Sequence, residues 1–139
     1  MIYLTNDDLK ADSIQRYIDE STADYTDAID KAEEKAISLA KTYLSGRYDV
    51  ATIFDEDSPV IDGLLVDILV KITLHKIFGR NAARRLPTDI KEEYDWAVAT
   101  LEKINSGKLT IQLPKATDES GNTKSTSMFG SNRNDNYFI

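Results

Sequence analysis

No cysteine occurs in the 139 residues, so neither a disulfide framework nor a thiolate metal site is available. Histidine occurs once, at His75, and no second imidazole exists to complete a metal site with it. Long apolar runs are missing as well. The longest candidate for a membrane span, residues 60–78, is interrupted by Asp62, Asp67, Lys71, His75 and Lys76. The opening Met1-Ile2-Tyr3-Leu4 lacks the basic flank and apolar region of a secretory leader, which sets the expectation of a cytoplasmic origin. Neither a phosphate loop nor a dinucleotide-binding glycine pattern occurs, and no internal repeat is visible. Residues 55–63 have the acids of a calcium loop, but Pro59-Val60-Ile61 breaks the alternation of oxygen ligands that such a loop needs.

What is present is acid, unevenly spread. Residues 1–57 hold 14 acids and 6 bases, a net charge of -8; residues 58–114 hold 7 acids and 8 bases, a net of +1; residues 115–139 hold three of each. An acidic first half argues against wrapping nucleic acid, because phosphate binding needs a dense basic surface. A solvated acidic face also keeps a protein soluble.

The apolar pattern is helical almost throughout. Thr5-Asn6-Asp7-Asp8 reads as a helix start, a hydroxyl cap followed by acids that suit the positive end of the dipole. Ile14, Tyr17 and Ile18 continue at helical spacing to about residue 19. A second helix is expected over residues 24–44, with Ala28, Ile29, Ala32, Ala36, Ile37, Ala40, Tyr43 and Leu44 on one stripe and Gly46 as a left-handed stop. Residues 47–57 show no helical period and read as a loop whose Tyr48, Val50, Ile53 and Phe54 lie against the bundle. Ser58-Pro59 signals a third helix, expected from Pro59 to about Phe78. It is apolar on most sides and therefore central, with Gly79 at its end. A fourth helix is predicted over residues 88–106, with Ile90, Tyr94, Ala97, Val98, Leu101 and Ile104 facing inward and Gly107 as its stop. Residues 108–113 alternate polar and apolar up to Pro114, a short strand signal that needs a partner.

Residues 115–139 are rich in Gly, Ser, Thr, Asn and charge, with Met128, Phe129, Tyr137, Phe138 and Ile139 as the large apolar residues. Such a stretch cannot bury enough surface to offset its own ordering entropy. Order in it requires surfaces outside its own domain, which points to an assembly subunit rather than a free enzyme. The chain thus reads as all-α: a bundle of about four helices with a short β-strand or hairpin element over residues 1–114, and an extended C-terminal arm over 115–139.

Candidate chemistry is sparse. The carboxylate pairs Asp7/Asp8, Glu33/Glu34, Asp55/Glu56/Asp57 and Glu92/Glu93 fall in caps, exposed helical faces and a loop, where acids are ordinary. A two-metal phosphoryl-transfer site could be built from them, but no basic or Gly-rich phosphate cradle accompanies it. No catalytic residue, metal or cofactor is expected, and His75 reads as a structural side chain. One basic concentration exists: Lys71, Lys76, Arg80, Arg84 and Arg85. It pairs with acids of the same or a neighbouring subunit, or it faces nucleic acid; the stacking aromatics and helix-turn-helix pattern that the second reading needs are missing.

Several segments together resemble a family. Ala40-Lys41-Thr42-Tyr43-Leu44-Ser45-Gly46-Arg47-Tyr48 is similar to the Tyr-Leu-x-Gly-Arg-Tyr segment of tailed-phage head–tail connector (adaptor) proteins of the Mu-like type. Tyr3 to Leu9, Ser58-Pro59, Ile77-Phe78-Gly79-Arg80, Pro87 with Glu93-Tyr94-Asp95-Trp96-Ala97, and Leu101 to Leu109 follow in the family's order. The resemblance covers residues 1–114, and the acids near the N-terminus and the Asn/Ser-rich tail stand outside it. It implies a small helical bundle that assembles as a homo-oligomeric ring, commonly of about twelve copies, below the portal protein. Such a ring sits in the virion neck, lets DNA pass through its lumen without sequence-specific binding, docks tail or neck proteins, and has no membrane contact and no catalytic role. An acidic lumen would let DNA slide without sticking. Phe129, Tyr137, Phe138 and Ile139 are then the natural anchors of an arm that, fully extended, reaches roughly 80 Å. The alternatives are a helical adaptor or regulatory protein outside any virion and a metal-dependent nuclease or phosphatase.

Overall fold

The computed structural model describes residues 2–12, 27–79 and 88–117. Five helices occur among them: α1 (Asn6–Asp12), α2 (Ala28–Leu44), α3 (Val50–Ile53), α4 (Gly63–Phe78) and α5 (Thr88–Ser106). No β-strand is formed among the described residues, and one isolated antiparallel bridge joins Tyr48 to Lys115.

Helix α4 is central, as its all-round apolar pattern requires. Leu65, Ile68, Leu69, Val70, Ile72, Thr73, Leu74 and Ile77 are buried along it, and α1, α2 and α5 all pack against it. Helix α2 presents Ala32, Ala36 and Ala40 to this core. Small side chains let two backbones approach closely, at the expense of apolar area buried per residue. Larger neighbours, Ile37 and Leu44, supply that area. Helix α5 buries Ile90, Ala97, Thr100, Leu101 and Ile104.

Four sequence expectations are corrected. Helix α4 begins at Gly63 and not at Pro59, because Asp62 is its cap: the Asp62 carboxylate accepts from the Leu65 amide at 3.0 Å. The preceding residues are held out of the helix by other partners. The Val60 amide donates to the Ile53 carbonyl at 3.0 Å, and the Tyr3 hydroxyl takes the Val60 carbonyl at 2.8 Å. Residues 47–57 are not wholly loop. Asp49 caps the short α3, accepting from the Thr52 amide at 3.2 Å and the Thr52 hydroxyl at 2.7 Å. These bonds from Thr52 hold the Asp49 carboxyl below its usual value. Gly46 is not a left-handed stop; the chain leaves α2 through right-handed Ser45, and the Tyr48 amide reaches back to the Leu44 carbonyl at 2.9 Å. Gly107, in contrast, does end α5 with φ of 83°.

The expected strand over 108–113 is also absent, although its alternation is real. Ile111 and Leu113 are buried while Lys108, Thr110 and Gln112 are exposed. The segment turns too tightly for a ladder, with the Leu113 amide donating to the Ile111 carbonyl at 3.1 Å. The expected continuation of the first helix over residues 13–19 lies outside the described residues.

Candidate functional site

The polar groups of the described residues fasten the chain to itself at two places. The first is built by Gly46-Arg47-Tyr48. Arg47 Nε donates to the Asn105 carbonyl at 2.8 Å, a cation at the negative end of α5. Its guanidinium lies so close to Gly107 that a Cβ there would stand 2.9 Å from Nη2. Tyr48 is buried, and its hydroxyl accepts from the Ile111 amide at 3.2 Å. On either side, the Asp49 amide donates to the Pro114 carbonyl at 2.9 Å and the Ala116 amide to the Arg47 carbonyl at 3.1 Å. One tripeptide thus caps the last helix and holds the strap that follows it across the bundle.

The second fastening is at the N-terminal segment. Glu33 is 2% exposed. Its Oε2 accepts from the Ile2 amide at 2.8 Å, and its Oε1 from the Tyr3 amide at 2.8 Å and the Leu4 amide at 2.6 Å. This corrects the reading of Glu33 as an exposed helical acid: a buried carboxylate with charge-assisted bonds is satisfied where a solvated one would be ordinary. Tyr3 continues inward. Its ring meets Phe54 at 5.3 Å between centroids, and its hydroxyl donates to the Val60 carbonyl and accepts from the Asp62 amide at 3.0 Å. Burial pushes the Tyr3 hydroxyl above its ordinary pKa. Thr5 and Asp8 close α1 with a capping box, the Thr5 amide and hydroxyl donating to the Asp8 carboxylate at 2.8 and 2.9 Å.

His75 is half-buried and stacks on Tyr94 with centroids 3.9 Å apart. Its Nδ1 is buried with no hydrogen-bond partner among the described residues. Burial, and then Lys76, lower its pKa. Among the described residues, no group of three or more His or acidic side chains could hold a metal ion, and no helix is long and apolar enough to cross a membrane.

The basic concentration divides. Lys71 is folded inward, 2.9 Å from Asp67 and 3.7 Å from Glu93, with its ammonium 5.7 Å from the centre of the Trp96 ring. Lys76 lies over the Tyr94 ring at 5.8 Å. Arg80, Arg84 and Arg85 lie outside the described residues, as do the expected arm anchors Phe129, Tyr137, Phe138 and Ile139.

The surface carries two further features. Ile2, Ile61 and Trp96 are large and apolar yet 41%, 58% and 42% exposed. Trp96 flanks the inner stripe of α5 and could have been found by its position next to buried Ala97. A groove of about 520 Å³ opens between the N-terminal segment, α2 and the turn after α3, with Ile2, Ile37 and Phe54 in its lining. Its contribution from residue 2 depends on the Glu33 contacts, and no local sequence pattern announces those.

A scan against family models matches residues 3–129 to the family described as Bacteriophage Mu, Gp36. Curated proteins and solved structures gave no match. The matched span includes the first fastening and, apart from Ile2, the second. It also runs past Pro114 to Phe129, so the first part of the Asn/Ser-rich tail is within the family pattern and not outside it. With nearly the whole sequence covered, the chain belongs to the bacteriophage Mu Gp36 family.

Proposed function

We propose that this protein is a structural subunit of a tailed-phage neck, a head–tail connector. Copies assemble as a homo-oligomeric ring of about twelve beneath the portal protein, extend the DNA channel, and offer the tail or other neck proteins a docking surface. The observation that carries the reading is the family match over residues 3–129, whose span holds the ordered motifs from Tyr3 to Leu109.

The use of the polar residues supports it. Glu33, Arg47, Tyr3 and Tyr48, each a residue type common in active sites, are engaged with backbone groups of the same chain. Exposed Trp96 is the residue type most enriched where binding energy concentrates at protein interfaces. The role is structural, without catalysis or cofactor. DNA passes the lumen without sequence-specific contact, kept mobile by the net charge of -7. The arm, through Phe129, Tyr137, Phe138 and Ile139, engages a neighbouring molecule.

The test is a phage lacking this chain, complemented in trans by the wild type or by a variant truncated after residue 124. Loss of the chain should leave DNA-filled heads and unattached tails, and the truncated variant should restore fewer joined particles than the wild type. Joined, infectious particles without the chain would refute the connector role.

A further inference from the structure

The groove beside the N-terminal segment has the chemistry of a receptor for a basic segment. Its floor is apolar: Ile2, Ile37 and Phe54. Its rim carries Asp27, Asp30, Glu34 and Glu56 against Lys31 and Lys41. Lys31 is 2.9 Å from Asp27, and Lys41 lies over the Phe54 ring at 5.8 Å. Glu34 and Glu56 are exposed beside that floor, so the rim is negative on balance.

A complementary segment needs positive charge, an apolar side chain and no carboxylate. Within this sequence residues 80–87 have that composition: Arg80, Arg84 and Arg85 with Leu86 and no acid. The charge asymmetry of the whole chain agrees, with a net of -8 over residues 1–57 and +1 over residues 58–114. A closed ring of identical chains needs two different patches on each copy that fit one another. An acidic, apolar-floored groove and a basic segment with a leucine are such a pair.

We propose that this groove receives residues 80–86 of the neighbouring copy of the chain, forming the head-to-tail contact of the ring. Arg80, Arg84 and Arg85 supply the charge complementary to Glu34 and Glu56, and Leu86 the apolar side chain that such a floor accepts. The proposal rests on the ring reading above and adds to it the two surfaces that meet.

The absence of native cysteine makes the test clean. Single variants Glu34→Cys and Arg84→Cys, one bearing a size tag, are mixed at high concentration and treated with a short bis-maleimide. Native mass spectrometry counts copies in the same samples. The expected result is a cross-link between the two different variants, weakened about tenfold when Arg85→Glu is added and partly regained with Glu56→Lys. Glu34 and Glu56 are exposed, so circular dichroism should show unchanged helix content in every variant. Rings without this cross-link overturn the groove assignment and leave the ring reading intact. A cross-link from Glu34→Cys to Phe129→Cys in its place also overturns it. Failure to find either oligomers or cross-links overturns both readings.

Discussion

Replacing Glu33 by alanine should cost a large part of the stability of this bundle. The carboxylate holds the amides of Ile2, Tyr3 and Leu4. A hydrogen bond to a charged group contributes about 1.5–3 kcal/mol, and a buried amide left without a partner costs about 1–3 kcal/mol. These contributions overlap, and the carboxylate regains hydration when the native state is lost, which offsets several kcal/mol of the gross sum. The net expectation for Glu33→Ala is a loss of about 3 kcal/mol, against about 5–15 kcal/mol for a whole domain. Glu33→Gln separates the contacts. Its carbonyl oxygen can still accept from Tyr3 and Leu4, but its amide group would point N–H at the N–H of Ile2. It should therefore lose less, about 1–2 kcal/mol. Urea unfolding gives both values, and amide exchange at Tyr3 and Leu4 should accelerate in the order wild type, Gln, Ala. A Glu33→Ala variant within 0.5 kcal/mol of wild type, a difference below about one ordinary hydrogen bond, would refute the fastening role. So would a Gln variant less stable than the Ala variant.

Other substitutions test the remaining contacts. Gly107→Ala should lose about 1–2 kcal/mol because φ of 83° disfavours a side chain and Arg47 occupies the space; Arg47→Ala should relieve the clash but not the backbone cost, so a double-mutant cycle in urea should be non-additive. Tyr3→Phe removes the hydroxyl bonds to Val60 and Asp62. Because the folded Tyr3 pKa is raised, wild type keeps this contribution below the ordinary tyrosine value and loses it as pH rises through the folded value, a component of alkaline unfolding that Tyr3→Phe should lack. The His75 pKa is lowered, so its contribution is present above the ordinary imidazole value and lost as pH falls through the folded one. Thermal unfolding between about pH 7.5 and pH 5 should show less acid loss in His75→Gln than in wild type, with Lys76, Lys91 and Asp95 unchanged. Thr73→Val should raise stability by about 0.5–1.5 kcal/mol in urea, since the buried Thr73 hydroxyl lacks a hydrogen-bond partner among the described residues.

Helices with one apolar stripe were legible from spacing alone. Helix α5 runs over Thr88–Ser106 as its pattern predicts, with Gly107 in the expected left-handed turn. Helix α4 is legible in kind and place but not in its start, because Ser58-Pro59 carries the cap and proline signals of an opening while Asp62 is the residue that caps it. What decides is Tyr3, far away in sequence, whose hydroxyl holds Val60 and Asp62. Gly46 was misleading for a related reason: the bonds that turn the chain there come from Tyr48 to Leu44 and from Asp49 to Pro114. Period two was visible in residues 108–113, but a ladder needs neighbours, and a sequence alternation reports burial rather than pairing. The buried Glu33 had no local signature at all. An acid in a helix reads as solvated until the segment that meets it is placed. The Tyr-Leu-x-Gly-Arg-Tyr motif is visible in the sequence as a pattern without its mechanism, which is a helix cap at Arg47 and a held strap at Tyr48.

The proposed role of this chain is as one of several copies joining a phage head to its tail. Reconstruction of the neck of purified particles by electron cryomicroscopy tests it most directly. The prediction is a symmetric ring against the portal into which the α2, α4 and α5 bundle fits, with one copy's groove facing the next copy. Particles whose neck holds no density for this bundle, and whose protein content lacks this chain, would contradict it.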